Sequence, residues 1–362
     1  MNEPVTIVGA GPAGLTAAIV LRRHGVPVRV YEMFPGVGHR LNGDFQGLEN
    51  WSTARDVTEI LKEMGIGINF LCVPYYEGAV HAPALKPVWV SSKRPIFYLV
   101  KRGSMPGTLD MGLKEQAESL GVEFVFNHRV NDFSKTTIVG TGPQTADAIA
   151  VGMTFTTSLA DTAAGVFDDN IASKGYAYLL VHRGFGTMAA LLYSGFRNRN
   201  EYFERMVNFF RDQYGMDTRN EKRFTSYGNF FLRDYRMWPD SLCVGESAGF
   251  QDYLWGFGMR YAFRSGFLAA RSIMDGSDYE VLWKKQLKPM LETSIVNRFL
   301  IEAFGHTGYR YLARKLVAGD PHRFLRHHYN SSFFKHLLLP LAKMTFCSRA
   351  KIHSMQTDPK LF

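Results

Sequence analysis

Gly9, Gly11 and Gly14, set as G-x-G-x-x-G, and Glu32, 18 residues beyond the last of them, are the residues of this chain whose types and spacing speak most directly of chemistry. The first two glycines allow a sharp turn and close approach of backbone to a pyrophosphate, and the third allows a helix to pack tightly on a strand. The apolar run Val5-Thr6-Ile7-Val8 precedes them, Pro12 and Ala13 open a helical pattern, and Val28-Arg29-Val30-Tyr31 delivers Glu32 with Met33 beside it. A carboxylate at that place accepts protons from both ribose hydroxyls, which predicts FAD or NAD and excludes a 2′-phosphorylated cofactor. The helix N-terminus offers free N–H groups to the phosphates. In a chain with 34 glycines the bare pattern is weak; strand, turn, helix, second strand and acid within one unit are specific.

The elements that must hold this grip read as follows. Gly36 to Asp44 form a glycine-rich loop that returns towards the cofactor, and a helix opened by Ser52 closes near Gly65. Ile96 to Val100 form a strand, Thr108 caps a helix carrying Leu109, Leu113, Ala117 and Leu120 at helical spacing, and Val122 to Phe126 start another strand. Thr136–Val139, Ala148–Thr156, Tyr176–Val181 and Met188–Tyr193 are expected in a sheet outside the nucleotide unit, roofing the substrate. The fold class is thus α/β: a Rossmann-like FAD- or NAD-binding domain (1–70, 100–150 and 240–278) interwoven with an antiparallel-sheet substrate domain (71–99 and 151–239). A helical basic region (279–362) follows. No repeat, low-complexity tract or linker divides the parts.

Composition fits a globular enzyme, with 46% hydrophobic and 21% charged residues, and 362 residues suit two joined domains. Cys72, Cys243 and Cys347 are widely spaced, which argues against a disulfide framework or a zinc site and for a reducing, cytoplasmic setting. The chain enters its first strand almost at once, so no export segment is expected. The net charge of +9 is concentrated: Arg298 to Lys351 hold ten Lys or Arg against Glu302 and Asp320, a surplus of eight. Phe333 to Leu339, followed by Pro340 and Lys343, is too short and interrupted to span a bilayer. Two readings stand: a surface docking on the inner face of the membrane, or a basic helical tail whose apolar side packs on the body. No motif for nucleic acid accompanies the charge.

Leu242 to Phe250, with Gly245 and Glu246, then Gly256-Phe257-Gly258-Met259 and the small-residue stretch Ser265 to Ala270, resemble the late motif of the geranylgeranyl reductase family of FAD-dependent oxidoreductases, within the para-hydroxybenzoate hydroxylase-like fold. Glu246 stands where that family carries an aspartate near the ribityl and pyrophosphate portion. Gly258 and Met259 would present N–H groups to the isoalloxazine edge. The resemblance also implies that Arg102, in Lys101-Arg102 with Leu109-Asp110, contacts the cofactor and that Val130 lies at the adenine-side strand. Asn42-Gly43 corresponds to a loop reading Cys-Gly in many relatives, with Arg40 close by; the thiol is absent, and no role for it transfers. Gly175 to Gly186 resembles a Tyr-x-Trp-x-Phe-Pro stretch, with Tyr178 replacing the tryptophan. Hydroxylases of this fold usually carry Asp-Gly where this chain reads Val139-Gly140-Thr141-Gly142-Pro143. Gly142 can still close on the cofactor, but the missing acid weakens the hydroxylase reading. The tryptophan-rich halogenase motif is missing too.

The resemblance implies reduction of a C=C bond in an isoprenoid or other lipid-like substrate, with NAD(P)H or another reductant as transient donor. A monooxygenase acting on an aromatic or polyketide and a redox-neutral flavin protein are the alternatives. Tyr176, Tyr178 and Trp255 are expected along the substrate. Tyr176, Tyr178, His182 and Asp252 are candidate proton donors by position, none of them singled out as catalytic. Cys72 reads as a packed small hydrophobe. No metal is expected.

Overall fold

The computed structural model describes residues 3–132, 136–143, 146–230 and 241–356, with side chains as far as residue 346. Cys347 and the basic residues beyond it therefore lie outside the described side chains. Five short strands, β1 (Val5–Val8), β2 (Val28–Tyr31), β8 (Glu123–Val125), β9 (Ile138–Val139) and β15 (Leu242–Cys243), form a sheet of parallel neighbours in the order β15-β9-β1-β2-β8. Ile7, Val30 and Ile138 are fully buried in it. Helices α1 (Pro12–Arg23) and α5 (Met259–Asp275) pack beside it and against each other. Their approach depends on a glycine, because a Cβ on Gly266 would stand 2.2 Å from the Ala13 carbonyl oxygen.

A second sheet, ordered β3-β7-β4, joins β3 (Phe45–Glu49), β4 (Cys72–Tyr75) and β7 (Phe97–Lys101) in antiparallel pairs. The third contains β5 (Glu77–His81), β6 (Val88–Ser91), β10 (Ala148–Thr156), β11 (Thr162–Val166), β12 (Tyr176–His182), β13 (Phe185–Leu192) and β14 (Arg219–Gly228) in the order β14-β10-β13-β12-β11-β5-β6. It is antiparallel except where β5 lies parallel to β11. Arg183 and Gly184, with φ of 49° and 75°, make the two-residue turn that closes the β12–β13 hairpin. Helix α4 (Arg199–Tyr214) covers one face of this sheet with Phe203, Met206 and Phe210. Helices α2 (Val57–Glu63) and α3 (Leu109–Ser119) flank the parallel sheet, and α6 (Tyr279–Gln286), α7 (Lys288–Val317), α8 (Pro321–Tyr329) and α9 (Phe333–Gln356) close the chain.

The expected α/β architecture is the one observed, with three local corrections. Ile138–Val139 belongs to the parallel sheet between β1 and β15, since a two-residue strand with no alternation to read carries no sign of which sheet will take it. Helix α2 opens at Asp56, whose carboxylate accepts from the Thr58 N–H; the Ser52 hydroxyl instead donates to Glu49. Val130 lies past the end of β8, outside any strand. Thr108 does cap α3, accepting from the Met111 N–H.

Candidate dinucleotide and substrate site

The three glycines of the amino-terminal turn serve three different ends. Gly9 has φ +102°, and a Cβ there would fall 2.2 Å from the Gly140 carbonyl oxygen, so β1 and the strand beside it can meet only over a glycine. A Cβ on Gly14 would stand 2.1 Å from the Gly9 oxygen, which fixes the close seat of α1 on its own turn. Gly11 is different: nothing lies within 4 Å of its missing Cβ. It borders the cavity with Pro12 and Ala13, leaving the backbone bare at the start of a helix whose first N–H groups have no intrahelical acceptor. Glu32 closes the far side. Its carboxylate accepts from Ala10 N–H at 2.8 Å and Phe34 N–H at 3.0 Å, and its remaining lone pairs can take ribose hydroxyls.

These groups sit at one end of a cavity of about 960 Å³, at the top of the range of about 300–1,000 Å³ usual for ligand sites. Gly11, Pro12, Ala13, Met33, Arg40, Asn42, Val130 and Gly142 all border it. Gly14 and Gly43 do not. Gly43 packs against Met105 and Gly103, where the returning loop crosses the end of β7.

Mid-cavity, Arg102 and Glu246 both reach the wall. Arg102 is buried and donates to both oxygens of Asp110, at 2.8 and 2.9 Å. The second of these oxygens also accepts from the Gly103 N–H. The guanidinium is thus fixed by α3 before any ligand arrives. Glu246 accepts from the Asn229 N–H at 2.9 Å. Burial pushes its carboxyl up to about 7, against the lowering effect of that bond and of Arg40 and Arg102. Arg40 lies over the Tyr227 ring, 4.8 Å from its centroid. Next along the wall come Gly258 and Met259, where α5 begins without a side-chain cap. The first-turn amides of this 17-residue helix are ready hydrogen-bond donors to an electron-rich ring edge.

Beyond α5 the wall turns apolar and aromatic. Tyr176, Tyr178, Phe167 and Trp255 line it, and Leu316 of α7 with Leu325 of α8 complete the end. The Trp255 ring lies 5.2 Å from Phe167 and 5.9 Å from Tyr176. His182 and Asp252 are not on the wall. His182 is held at 2.6 Å by Asp161, and Asp252 lies behind Trp255, whose N–H it accepts at 2.7 Å. Burial pushes the Asp252 carboxyl up to about 7 and the Cys72 thiol up to about 12, which keeps Cys72 a packed thiol. Among the described residues no cluster of His, Cys, Asp and Glu could hold a metal.

Sequence reasoning missed several wall residues. Trp51 lines the cavity with a buried indole N–H that has no acceptor among the described residues. Tyr227 enters on β14, whose run Arg-Asn-Glu-Lys-Arg has no apolar alternation to announce a strand. Leu316 and Leu325 arrive from helices read only as a basic tail.

Residues 7–44 match the NAD(P)-binding Rossmann-like domain family. AegA of Escherichia coli (strain K12), named as an oxidoreductase, is 38% identical over 73 residues, which is 20% of this chain and 11% of that protein's length. Among solved structures, a geranylgeranyl bacteriochlorophyll reductase-like protein from Thermoplasma acidophilum superposes with a TM-score of 0.68 at 15% identity, over 88% of this chain and 92% of the other. A flavoprotein/dehydrogenase from Cytophaga hutchinsonii gives 0.62 at 13% identity, covering 98% and 99%. The flavin-dependent brominase Bmp2, as a triple mutant, gives 0.63 at 12% identity, covering 96% and 100%. The chain therefore has the fold of the flavin-dependent oxidoreductases, geranylgeranyl reductase-like proteins included.

Proposed function

We propose that this chain is an FAD-dependent oxidoreductase that reduces a C=C bond of an isoprenoid or other lipid-like substrate. The observation that carries the reading is the continuity of the cavity, from the bare backbone at Gly11 past the open end of α5 to the aromatic chamber at Tyr178 and Trp255. The polar half suits a dinucleotide and the apolar half a hydrocarbon chain. Bound FAD supplies the two-electron reduction, with electrons drawn from NAD(P)H or another reductant.

The protein's own part is to bind, orient and exclude water. Glu32 takes the adenosine ribose, the Gly11 to Ala13 backbone the pyrophosphate, Glu246 the polyol stretch and the Gly258–Met259 amides the ring edge. Tyr176 and Trp255 hold the alkene in a dry chamber. The second carbon of the alkene needs a proton. Burial raises both wall phenols well above their usual range, so each keeps its proton. The Tyr176 hydroxyl is spent on the Trp255 carbonyl, which leaves Tyr178 as the donor.

The test is turnover of a prenyl lipid extract by the flavin-loaded protein with reduced pyridine nucleotide or another reductant as electron source, run once without oxygen and once in air, followed by mass spectrometry. A product heavier by two hydrogens supports the reading. Consumption of reduced pyridine nucleotide with oxygen uptake and a hydroxylated product overturns it in favour of a monooxygenase, and a flavin that no biological reductant bleaches overturns it in favour of a redox-neutral protein.

A further inference from the structure

Helix α7 is broken at Gly305, and the two sides of the break serve different cores. Gly305 lies inside the 30-residue span with φ 50° and ψ −132°, a conformation that favours glycine and kinks the helix. Before it, Leu291 packs in the core of the nucleotide unit, and Ile295 and Val296 pack with Tyr253. After it, Tyr309, Leu312, Ala313 and Leu316 join Leu325 of α8 in one buried cluster with Trp255 and Phe167. Both helices are tied in place. The Tyr309 hydroxyl donates to Asp169 at 3.1 Å, Asn297 Nδ2 donates to the His328 carbonyl at 2.7 Å, and the Asp320 carboxylate caps α8 by accepting from the His322 N–H.

Within that cluster Leu316 and Leu325 border the cavity, beside Trp255 and Phe167. The wall they make is one helix thick. Leu316 is turned inward and buried, while Tyr311, Arg314 and Lys315 of the same helix are exposed; Leu325 is buried while Arg323 is exposed. The chamber therefore stops at these two side chains, with solvent on the far side of their helices. The end they close is also uncharged. Asp252 and Arg298 lie just behind it, bonded to the Trp255 N–H and the Leu254 carbonyl, yet neither borders the cavity. Glu77 does border it, but is exposed at the start of β5, on the far side of Ala79 from Val80, which packs on the cluster. A charged group lodged against Leu316 and Leu325 would lose its water and gain no counter-charge, so an uncharged hydrocarbon terminus is what this end fits.

We infer that Leu316 and Leu325 set the length of hydrocarbon chain that the cavity takes, with the uncharged end of the chain lodged against them. This rests on the function proposed above, in which the apolar half of the cavity holds a hydrocarbon chain. The experiment is calorimetric titration of the flavin-loaded protein with a homologous series of straight-chain primary alcohols. In the wild type, affinity is expected to rise about fourfold for each added methylene and then to level off at a limiting length. The Leu316→Ala, Leu325→Ala double variant cuts both side chains back to Cβ and is expected to move that limit to chains longer by about three carbons or more. Leu316→Phe adds bulk at the same place and is expected to shorten the limit, which tests the same wall where the double variant does not fold. A limit that stays at the wild-type length in a folded variant that keeps its flavin overturns the inference and leaves the hydrocarbon reading standing. A wild-type protein that binds none of the alcohols overturns that reading and the inference with it.

Discussion

The Tyr176 hydroxyl donates to the Trp255 carbonyl at 2.5 Å, and this one bond ties β12 of the large sheet to the loop that leads into α5. Both residues also line the cavity, so the bond sets the width of the chamber at the point where sheet and nucleotide unit meet. Tyr176→Phe removes the donor and strands a carbonyl in a dry place, which costs about 1–3 kcal/mol. The expected outcome is a lower melting temperature with flavin content retained, read by thermal denaturation and absorbance. Loss of flavin with an unchanged melting temperature would contradict this placement.

Gly11 and Gly14 separate binding from folding. Gly11 has φ −83°, open to any residue, and empty space at its Cβ. Gly11→Val should therefore fold normally and lose FAD affinity by about a hundredfold or more, since the new side chain occupies the place of the phosphates. Gly14→Val forces a clash with the Gly9 carbonyl and should destabilise the fold by about 1–3 kcal/mol or more. Flavin titration and thermal melts of the two variants distinguish the roles.

Asp110→Ala leaves the Arg102 guanidinium buried without its paired carboxylate. Breaking a buried pair from one side costs about 3–5 kcal/mol, far more than an exposed pair such as Arg205 with Glu201. A denaturant midpoint close to wild type for Asp110→Ala would show that Arg102 is not held as described.

Glu246 gives a pH signature. Its carboxyl is raised from an ordinary 4.5 to about 7 by burial, so the folded protein holds a proton that the unfolded chain releases. The contribution of Glu246 to stability is then full below about pH 4.5 and is lost as pH rises through about 7. Asp252, raised from 3.8 to about 7, adds a loss of the same sign. In Glu246→Gln the decline in melting temperature of the flavin-free protein across this window should be shallower than in wild type. An equal or steeper decline would contradict the burial of this carboxyl.

The sequence showed the nucleotide grip and the late motif because both are local. Val5 to Glu32 and Leu242 to Met259 each lie within one short run of chain. The middle of the fold is non-local. Ile138 and Val139 show no preference until β1 and β15 flank them, and β11 is built from Thr-Ala-Ala-Gly-Val, which announces no strand. Val130 was expected on a strand that ends five residues earlier. The wall at Trp51, Tyr227, Leu316 and Leu325 was invisible because its members come from three distant segments that only packing unites. Arg40 and Asn42 were legible because the glycine-rich loop must return to the turn that it follows, Met33 because it adjoins Glu32, and Gly142 through the family resemblance.

The central claim is that FAD spans from the Gly9–Gly14 turn to the start of α5. A crystal structure of the protein with FAD tests it most directly. The account predicts the ribose at Glu32, the pyrophosphate over Gly11 and the isoalloxazine edge at the amides of Gly258 and Met259. A flavin bound elsewhere, or a cavity at α5 that admits no ring when the Gly11 end is filled, would contradict it.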